Sequence, residues 1–334
     1  MNFNLNSLPL SIKEIKAASQ LLDGNVRKTP LVKSFYLTSK TGGEIYLKLE
    51  NMQLTGSFKF RGAFNKISHL TDEERNKGVI ACSAGNHAQG VALSSRLLHI
   101  KSKIIMPATA PKAKVQATEG YGSNIILHGE TFDDAKEYCA KIRNETGETF
   151  LHPFDDIYIM AGQGTIGLEI LDDLWDVETV IVPIGGGGII SGIAVALKSF
   201  NPSINIIGVQ ADNVHGMKAS IDAGEIVSHY VAPTIADGCA VKVPGTLTFN
   251  IVKELVTEII TVSEEELEVS MKDLLQRGKV VVEGAGALAT AAILSGKAEK
   301  YVRDKKVVAI ISGGNVDLER ISSVCEHFFG NEVK

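Results

Sequence analysis

The chain has 334 residues, 44% hydrophobic and 22% charged, with a net charge of −5. That composition is ordinary for a globular protein of one large or two ordinary domains, and its acidic balance excludes the basic footprint of a nucleic-acid binder or of a polybasic membrane face. The four cysteines, Cys82, Cys139, Cys239 and Cys325, lie far apart and form no CxxC, so they read as reduced thiols of a cytoplasmic protein rather than as a disulfide or zinc framework.

The N-terminal stretch MNFNLNSLPLSIKEI has neither a basic leader nor a continuous apolar core, and no signal peptide is expected. No run reaches the roughly 18 apolar residues that a membrane span needs. Further on, short apolar, β-branched runs alternate with amphipathic stretches. Strands are expected at 78–83 (GVIACS), 103–108 (KIIMPA), 124–129 (NIILHG), 179–185 (TVIVPIG), 204–211 (INIIGVQA) and 307–314 (VVAIISGG). Helices are expected at 88–98, 131–145, 191–200 and 264–278. The alternation predicts βα units, hence parallel sheets covered by helices on both faces. No repeat or low-complexity linker marks a domain boundary.

Several motifs fall at or near the ends of these elements. In SFKFRG (57–62), Lys59 stands between two phenylalanines. A surface lysine needs no such flanks, whereas a lysine in an apolar slot is biased toward its neutral, nucleophilic form. Ser57 and Arg61 beside it are read as contacts for phosphate or backbone. SAGNHAQG (83–90) follows a strand and enters a helix, and Ser83, Gly85, Asn86 and His87 gather several hydrogen-bonding groups on one turn. A capped turn serving only its helix is the plainer reading. GQGTIG (162–167) matches G-x-G-x-x-G but lacks the acidic residue expected about twenty positions on, so it is read as a glycine-rich helix start that packs closely. GGGG (185–188) follows a strand and opens a helix; its unshielded backbone N–H groups suit a phosphate, although it is no Walker A loop. SGGN (312–315) presents Ser312 and Asn315 where the last strand ends. The acidic pairs at 133–134, 155–156 and 172–173 are read as helix N-terminal or surface charges. No HExxH or GxSxG is present.

In this order, the lysine motif, SAGNHAQG, GGGG and SGGN resemble the serine/threonine dehydratases of the fold-type II (tryptophan synthase β-like) pyridoxal-phosphate enzymes, most of all their short catabolic members. Similar segments run from KTPL (28–31) through ENMQLTGSFKFRGA (50–63), GVQADNVHGM (208–217), ADGCAV (236–241) and VVEGAGALA (281–289) to ISGGNVDL (311–318). The resemblance implies an α/β fold of two three-layer αβα domains with mostly parallel sheets. A large cofactor-binding domain would comprise 1–52 plus 156–334, a small domain, 53–155, would be inserted in it, and no C-terminal regulatory domain would follow.

The resemblance also implies roles. The cofactor would be pyridoxal 5'-phosphate, held covalently by Lys59. Gly185, Gly186, Gly187 and Gly188 would hold its phosphate, Asn86 its ring hydroxyl, and Ser312 would face its ring nitrogen. Ser83, Gly85 and His87 would hold the substrate carboxylate, and the released Lys59 would be the base at the α-carbon. The implied reaction is β-elimination of L-threonine to 2-oxobutanoate and ammonia, and of L-serine to pyruvate and ammonia. AMP is implied as an activator, around Thr55, Gly56, Gln89, Gly120, Tyr121 and Asn315, and a homodimer or homotetramer as the assembly.

Two alternatives stand beside this reading. One is a serine racemase with dehydratase side activity. Racemases of this family carry a second serine where this chain has Ala84, and Gln210 stands where their metal-binding acid would be, so no divalent metal is expected. The other is a nucleotide-binding or dinucleotide-using α/β protein, resting on GQGTIG and GGGG.

Overall fold

The computed structural model describes residues 5–230 and 232–329. Ten strands form among them: β1 (Leu31–Lys33), β2 (Glu44–Leu49), β3 (Val79–Cys82), β4 (Ser102–Met106), β5 (Asn124–Leu127), β6 (Thr149–Phe150), β7 (Thr179–Pro183), β8 (Asn205–Ala211), β9 (Glu258–Val262) and β10 (Lys306–Ile311). They make two sheets. The larger runs β1-β2-β10-β7-β8-β9 and is parallel except for β1, which lies antiparallel on β2. The smaller, β5-β4-β3-β6, is entirely parallel, and all its strands fall between residues 53 and 155.

The continuous apolar runs are explained by burial on both faces of each sheet. Side chains alternate across a strand. In β10, Val307, Ala309 and Ile311 join one core cluster, with Ile181, Ile207 and Leu288, while Val308 and Ile310 join another, with Val180, Val182 and Ile193. The smaller sheet repeats the pattern: Val79 and Ala81 of β3 face one cluster, and Ile80 and Cys82 face a second. Two layers of helix therefore cover each sheet. Helix Gly284–Leu294 is apolar all round and buried from Gly284 to Ile293 against the large sheet.

The expected helices form at Asn86–Leu97, Phe132–Thr146, Gly188–Phe200 and Glu264–Asp273. Capping boxes start the second and fourth, Thr131 with Asp134 and Ser263 with Glu266. Strands β1, β2, β6 and β9 were not expected. β2 is the instructive case, because it carries Lys48, fully buried. Its amine donates to the Thr29 carbonyl (2.7 Å) and to the Glu169 carboxylate, so burial is compensated by partners far away in sequence. GQGTIG lies in the middle of helix Ile157–Asp173 rather than at its start. Its glycines are contact points: a Cβ on Gly162 would stand 2.7 Å from Gly62 Cα, and one on Gly164 2.9 Å from the Gly192 carbonyl.

Candidate active site

Three loops leave the carboxyl ends of parallel strands: SAGN after β3, GGGG after β7 and SGGN after β10. Ligands of open α/β sheets bind at such ends. The lysine segment is stitched directly to the last of them. Phe58 N–H donates to the Ser312 carbonyl (3.2 Å), Gly314 N–H donates to the Gly56 carbonyl (2.9 Å), and Ser57 and Gly313 form an isolated antiparallel bridge. Helix Lys59–Ser68 begins at the lysine itself.

Successive helical side chains diverge by about 100°, so the neighbours of Lys59 cannot all share its side. Phe58 does, with its ring centroid 5.2 Å from the amine. Phe60 turns away into a cluster with Leu22 and Phe64. Arg61 also turns away, into the interior, and touches no phosphate loop. Its Nε donates to Glu50 Oε2 (2.8 Å) and its Nη2 to Glu50 Oε1 (2.9 Å) and Glu169 Oε2 (3.0 Å), while Nη1 reaches Glu169 Oε1 and Thr165 Oγ1 (3.1 Å). With Lys48 on Glu169, two cations meet two anions in a closed network. Burial alone would lower the guanidinium pKa, but the two carboxylates hold it above its ordinary value.

The Lys59 amine donates to the Pro153 carbonyl (2.7 Å). Burial pushes it down to about 8, against the opposing influence of Cys239 and Glu283. The next residue, Phe154, lies on the glycine loop, where a Cβ on Gly186 would stand 2.4 Å from its ring. Segment 153–154 thus joins the lysine to GGGG. Gly187 sits at φ +97, and a Cβ there would also meet Met217 and Thr248 at 2.7 and 2.8 Å. Thr248 Oγ1 donates to the Gly186 carbonyl (2.7 Å) and steadies the turn. None of the four N–H groups at 185–188 has a hydrogen-bond partner among the described residues, although Gly186, Gly187 and Gly188 are buried.

On the other side, Asn86 is held at both ends. Its Oδ1 accepts from Asn315 Nδ2 (2.8 Å), and its Nδ2 donates to Glu283 Oε1 (2.7 Å). Asn315 Nδ2 also donates to the Thr55 carbonyl (2.8 Å). The Ser83 hydroxyl accepts from Gly85 N–H (3.2 Å), and the buried His87 meets the Leu151 carbonyl through Nε2 (2.9 Å). Burial, with Lys59 nearby, pushes His87 down to about 3, so the ring is neutral and Nε2 is the donor. Ser312 is buried and donates to the Ala285 carbonyl (3.3 Å).

Of the positions expected around an effector, Thr55, Gly56 and Asn315 meet directly. Gln89 lies one turn beyond Asn86. Gly120 and Tyr121 follow helix Lys112–Glu119, which packs on helix Asn86–Leu97. Gln210 is spent on backbone, donating to the Ile184 carbonyl (3.4 Å) and accepting from Lys218 N–H (2.9 Å).

Sequence reasoning missed four participants: Pro153, Phe154, Thr248 and Glu283. The first two act through a carbonyl and a ring face, which leave no motif. Glu283 did carry a signal, a lone charge inside VVEGAGALA, the same kind of oddity that singled out Lys59.

These groups fit a phosphate-bearing aldehyde. Unpartnered amides at a helix N-terminus suit the phosphate, a desolvated amine suits the aldehyde, and neutral Asn86 and Ser312 suit a ring hydroxyl and a ring nitrogen. The fold and the lysine-centred site therefore define a phosphate-cofactor enzyme of the α/β class. Residues 22–313 match the family model described as pyridoxal-phosphate dependent enzyme, and the chain belongs to that family. It is 61% identical over 320 residues to the catabolic L-threonine dehydratase of Staphylococcus aureus strain USA300, covering 95% of this chain and 92% of that one. Among solved structures it is similar to maize serine racemase (TM-score 0.90, 36% identity, 97% of this chain and 99% of that one). It is also similar to the processed form of threonine deaminase isoform 2 from Solanum lycopersicum (TM-score 0.89, 35% identity, 97% and 96%). No helix of the described residues is long and apolar enough to cross a membrane.

Proposed function

We propose that the chain is a pyridoxal-phosphate-dependent dehydratase that converts L-threonine to 2-oxobutanoate and ammonia, and L-serine to pyruvate and ammonia. The observation that carries this reading is that segment 153–154 joins the Lys59 amine, drawn toward neutrality, to the loop bearing the unpartnered amides of Gly185 to Gly188. The dehydratase relative supports the substrate assignment.

When bound, pyridoxal phosphate supplies an electron sink for the substrate's α-carbon. In this assignment the N–H groups of Gly185 to Gly188 would hold its phosphate, Asn86 would hold the ring hydroxyl and Ser312 would offer a neutral hydroxyl to the ring nitrogen. Ser83, the Gly85 backbone and His87 hold the substrate carboxylate. Lys59 would hold the cofactor, and its amine, drawn toward neutrality, would be the base for the α-proton. Ser312 would face the ring nitrogen with a neutral hydroxyl rather than an acid, a weaker support for the electron sink. Phe58 and Phe154 keep water from the amine and from the glycine turn.

The racemase alternative needs a proton donor beside Ser83. Ala84 offers none, and its methyl packs against the core of the small sheet. Incubation with L-serine should give pyruvate and ammonia; D-serine as the main product would overturn the elimination reading.

Several finer assignments belong to the same proposal. The large lobe comprises 1–52 plus 156–334, and the small lobe 53–155. AMP binds around Thr55, Gly56, Gln89, Gly120, Tyr121 and Asn315, a placement supported by the Asn315 link between Thr55 and Asn86. The protein works in the cytoplasm as a homodimer or homotetramer.

A further inference from the structure

Glu283 stands at the N-cap of helix Gly284–Leu294, where a carboxylate ordinarily accepts the helix's free N–H groups. It caps nothing there. Its carboxyl turns the other way, and Oε1 accepts from Asn86 Nδ2 at 2.7 Å. The chain leaves room for this turn: a Cβ on Gly313 would stand 2.3 Å from that oxygen. The second residue of SGGN must therefore be glycine if the carboxyl is to lie where it does.

The arrangement is costly and lacks an obvious structural return. Glu283 is only 6% exposed, and among the described residues no lysine or arginine lies within ion-pair distance of it. Lys114, one of the cations whose charge reaches it, pairs instead with Asp237 at 2.7 Å. A buried carboxyl without a cation is destabilising, and such groups concentrate where chemistry needs them.

We propose that Glu283 is a positioning residue of the active site: its carboxyl fixes which way the Asn86 amide points and thereby how the cofactor's ring hydroxyl is held. This rests on the pyridoxal-phosphate reading of the site. An asparagine amide has two nearly isosteric ends. Asn315 presents a donor to one end, and Oε1 of Glu283 accepts at the other, so the two contacts are met together in one orientation of the amide. One N–H of Asn86 is then spent on Glu283, and the second is left for a ligand.

The groups facing the carboxyl are Asp237, Lys114, Lys59 and Cys239, besides Asn86; Asp317 lies within charge reach of Lys114. Burial and Asp237 push Glu283 up to about 8, with Asn86, Lys114 and Lys59 opposing. At neutral pH it is mainly an uncharged acid. Its ionisation at alkaline pH places a negative charge beside the ring hydroxyl and disfavours loss of the proton there.

The test uses the full-length protein reconstituted with pyridoxal phosphate, with Glu283→Gln, Glu283→Ala and the parent compared. Cofactor affinity and the pH dependence of the bound cofactor's visible absorption bands are measured, neither of which needs turnover. Glutamine keeps the acceptor but cannot ionise. Its affinity should stay close to the parent's, while the spectral titration near pH 8 disappears. Alanine removes the acceptor and should weaken cofactor binding about tenfold, the worth of one buried hydrogen bond. A Glu283→Gln protein that keeps the parent's titration overturns the proposal even if the alanine variant does not fold, and so does a folded alanine variant with unchanged affinity and bands. Failure of the parent itself to bind pyridoxal phosphate would instead remove the reading of the site on which the proposal stands.

Discussion

Lys59 and Arg61 are two residues apart in the first turn of one helix and point to opposite sides of it. The Lys59 amine meets the Pro153 carbonyl at the cleft, and the Arg61 guanidinium is clamped in the interior between Glu50 and Glu169. Lysine and arginine are both cations, yet their settings give them opposite tasks. One has no carboxylate partner and is drawn toward neutrality by burial; the other is saturated with carboxylates and held charged.

The clamp makes a first prediction. Arg61→Met leaves the buried Glu50 without a cation and Glu169 with Lys48 alone, and should cost about 3–5 kcal/mol, as breaking a buried pair from one side does. Arg61→Lys should recover only part of that loss, because a single ammonium cannot bond both carboxylates in the plane that the guanidinium uses. Urea unfolding of the cofactor-free proteins measures both. A methionine variant as stable as the parent would show that the network is dispensable.

Gly187 makes a second. Alanine there must adopt a left-handed backbone, at a cost of roughly 1–2 kcal/mol, and its Cβ meets Met217 and Thr248. The turn should open and release the alignment of its N–H groups. Titration with pyridoxal phosphate should show affinity at least about tenfold weaker, since each 1.4 kcal/mol lost is a factor of ten. Unchanged affinity would move the phosphate site elsewhere.

His87 makes a third, concerning pH. Its folded pKa, about 3, lies below its ordinary value of 6.5. The neutral ring is what the fold accommodates, so its contribution to stability is complete above pH 6.5 and is lost as pH falls toward 3. His87→Gln keeps a donor for the Leu151 carbonyl and carries no charge at any pH. Melting temperatures of the cofactor-free proteins should therefore fall less between pH 7 and pH 4 in the variant than in the parent. Parallel curves would mean that the ring is free to take up a proton.

Gly162 makes a fourth. Its helix touches the lysine helix backbone to backbone at Gly62, and a Cβ would stand 2.7 Å from both the Arg61 carbonyl and Gly62 Cα. Gly162→Ala should destabilise by about 1–3 kcal/mol, as overpacking does, and should lower activity by displacing the helix that starts at Lys59. A variant with the parent's melting temperature and turnover would contradict the close approach.

The parts of the molecule that were legible in the sequence share a physical cause. β3, β4, β7, β8 and β10 are buried over most of their length on both faces, so they are largely apolar and the run stands out. The SAGN, GGGG and SGGN loops are legible because backbone cradles need glycine and because their polar residues end apolar strands. β2 is hidden because Lys48 looks exposed until Glu169, 121 residues away, is seen to neutralise it. The carboxylate partners of Arg61 are hidden for the same reason, the second being 108 residues distant. GQGTIG mimics a nucleotide loop because close helix packing and phosphate binding both require bare backbone. Glu283 stands out only as a lone charge inside VVEGAGALA, because its partner Asn86 is 197 residues away.

The central claim is that Lys59 both holds the cofactor and takes the substrate's α-proton. The most direct measurement is to reconstitute the parent and Lys59→Ala with pyridoxal phosphate and to follow the visible absorption band together with 2-oxobutanoate release from L-threonine. The account predicts that the parent shows a band shifted from that of the free cofactor and releases product, whereas the variant loses the shifted band and at least about a hundredfold in rate, the lower bound for a missing general base. A variant that kept both the band and the parent's rate would contradict it.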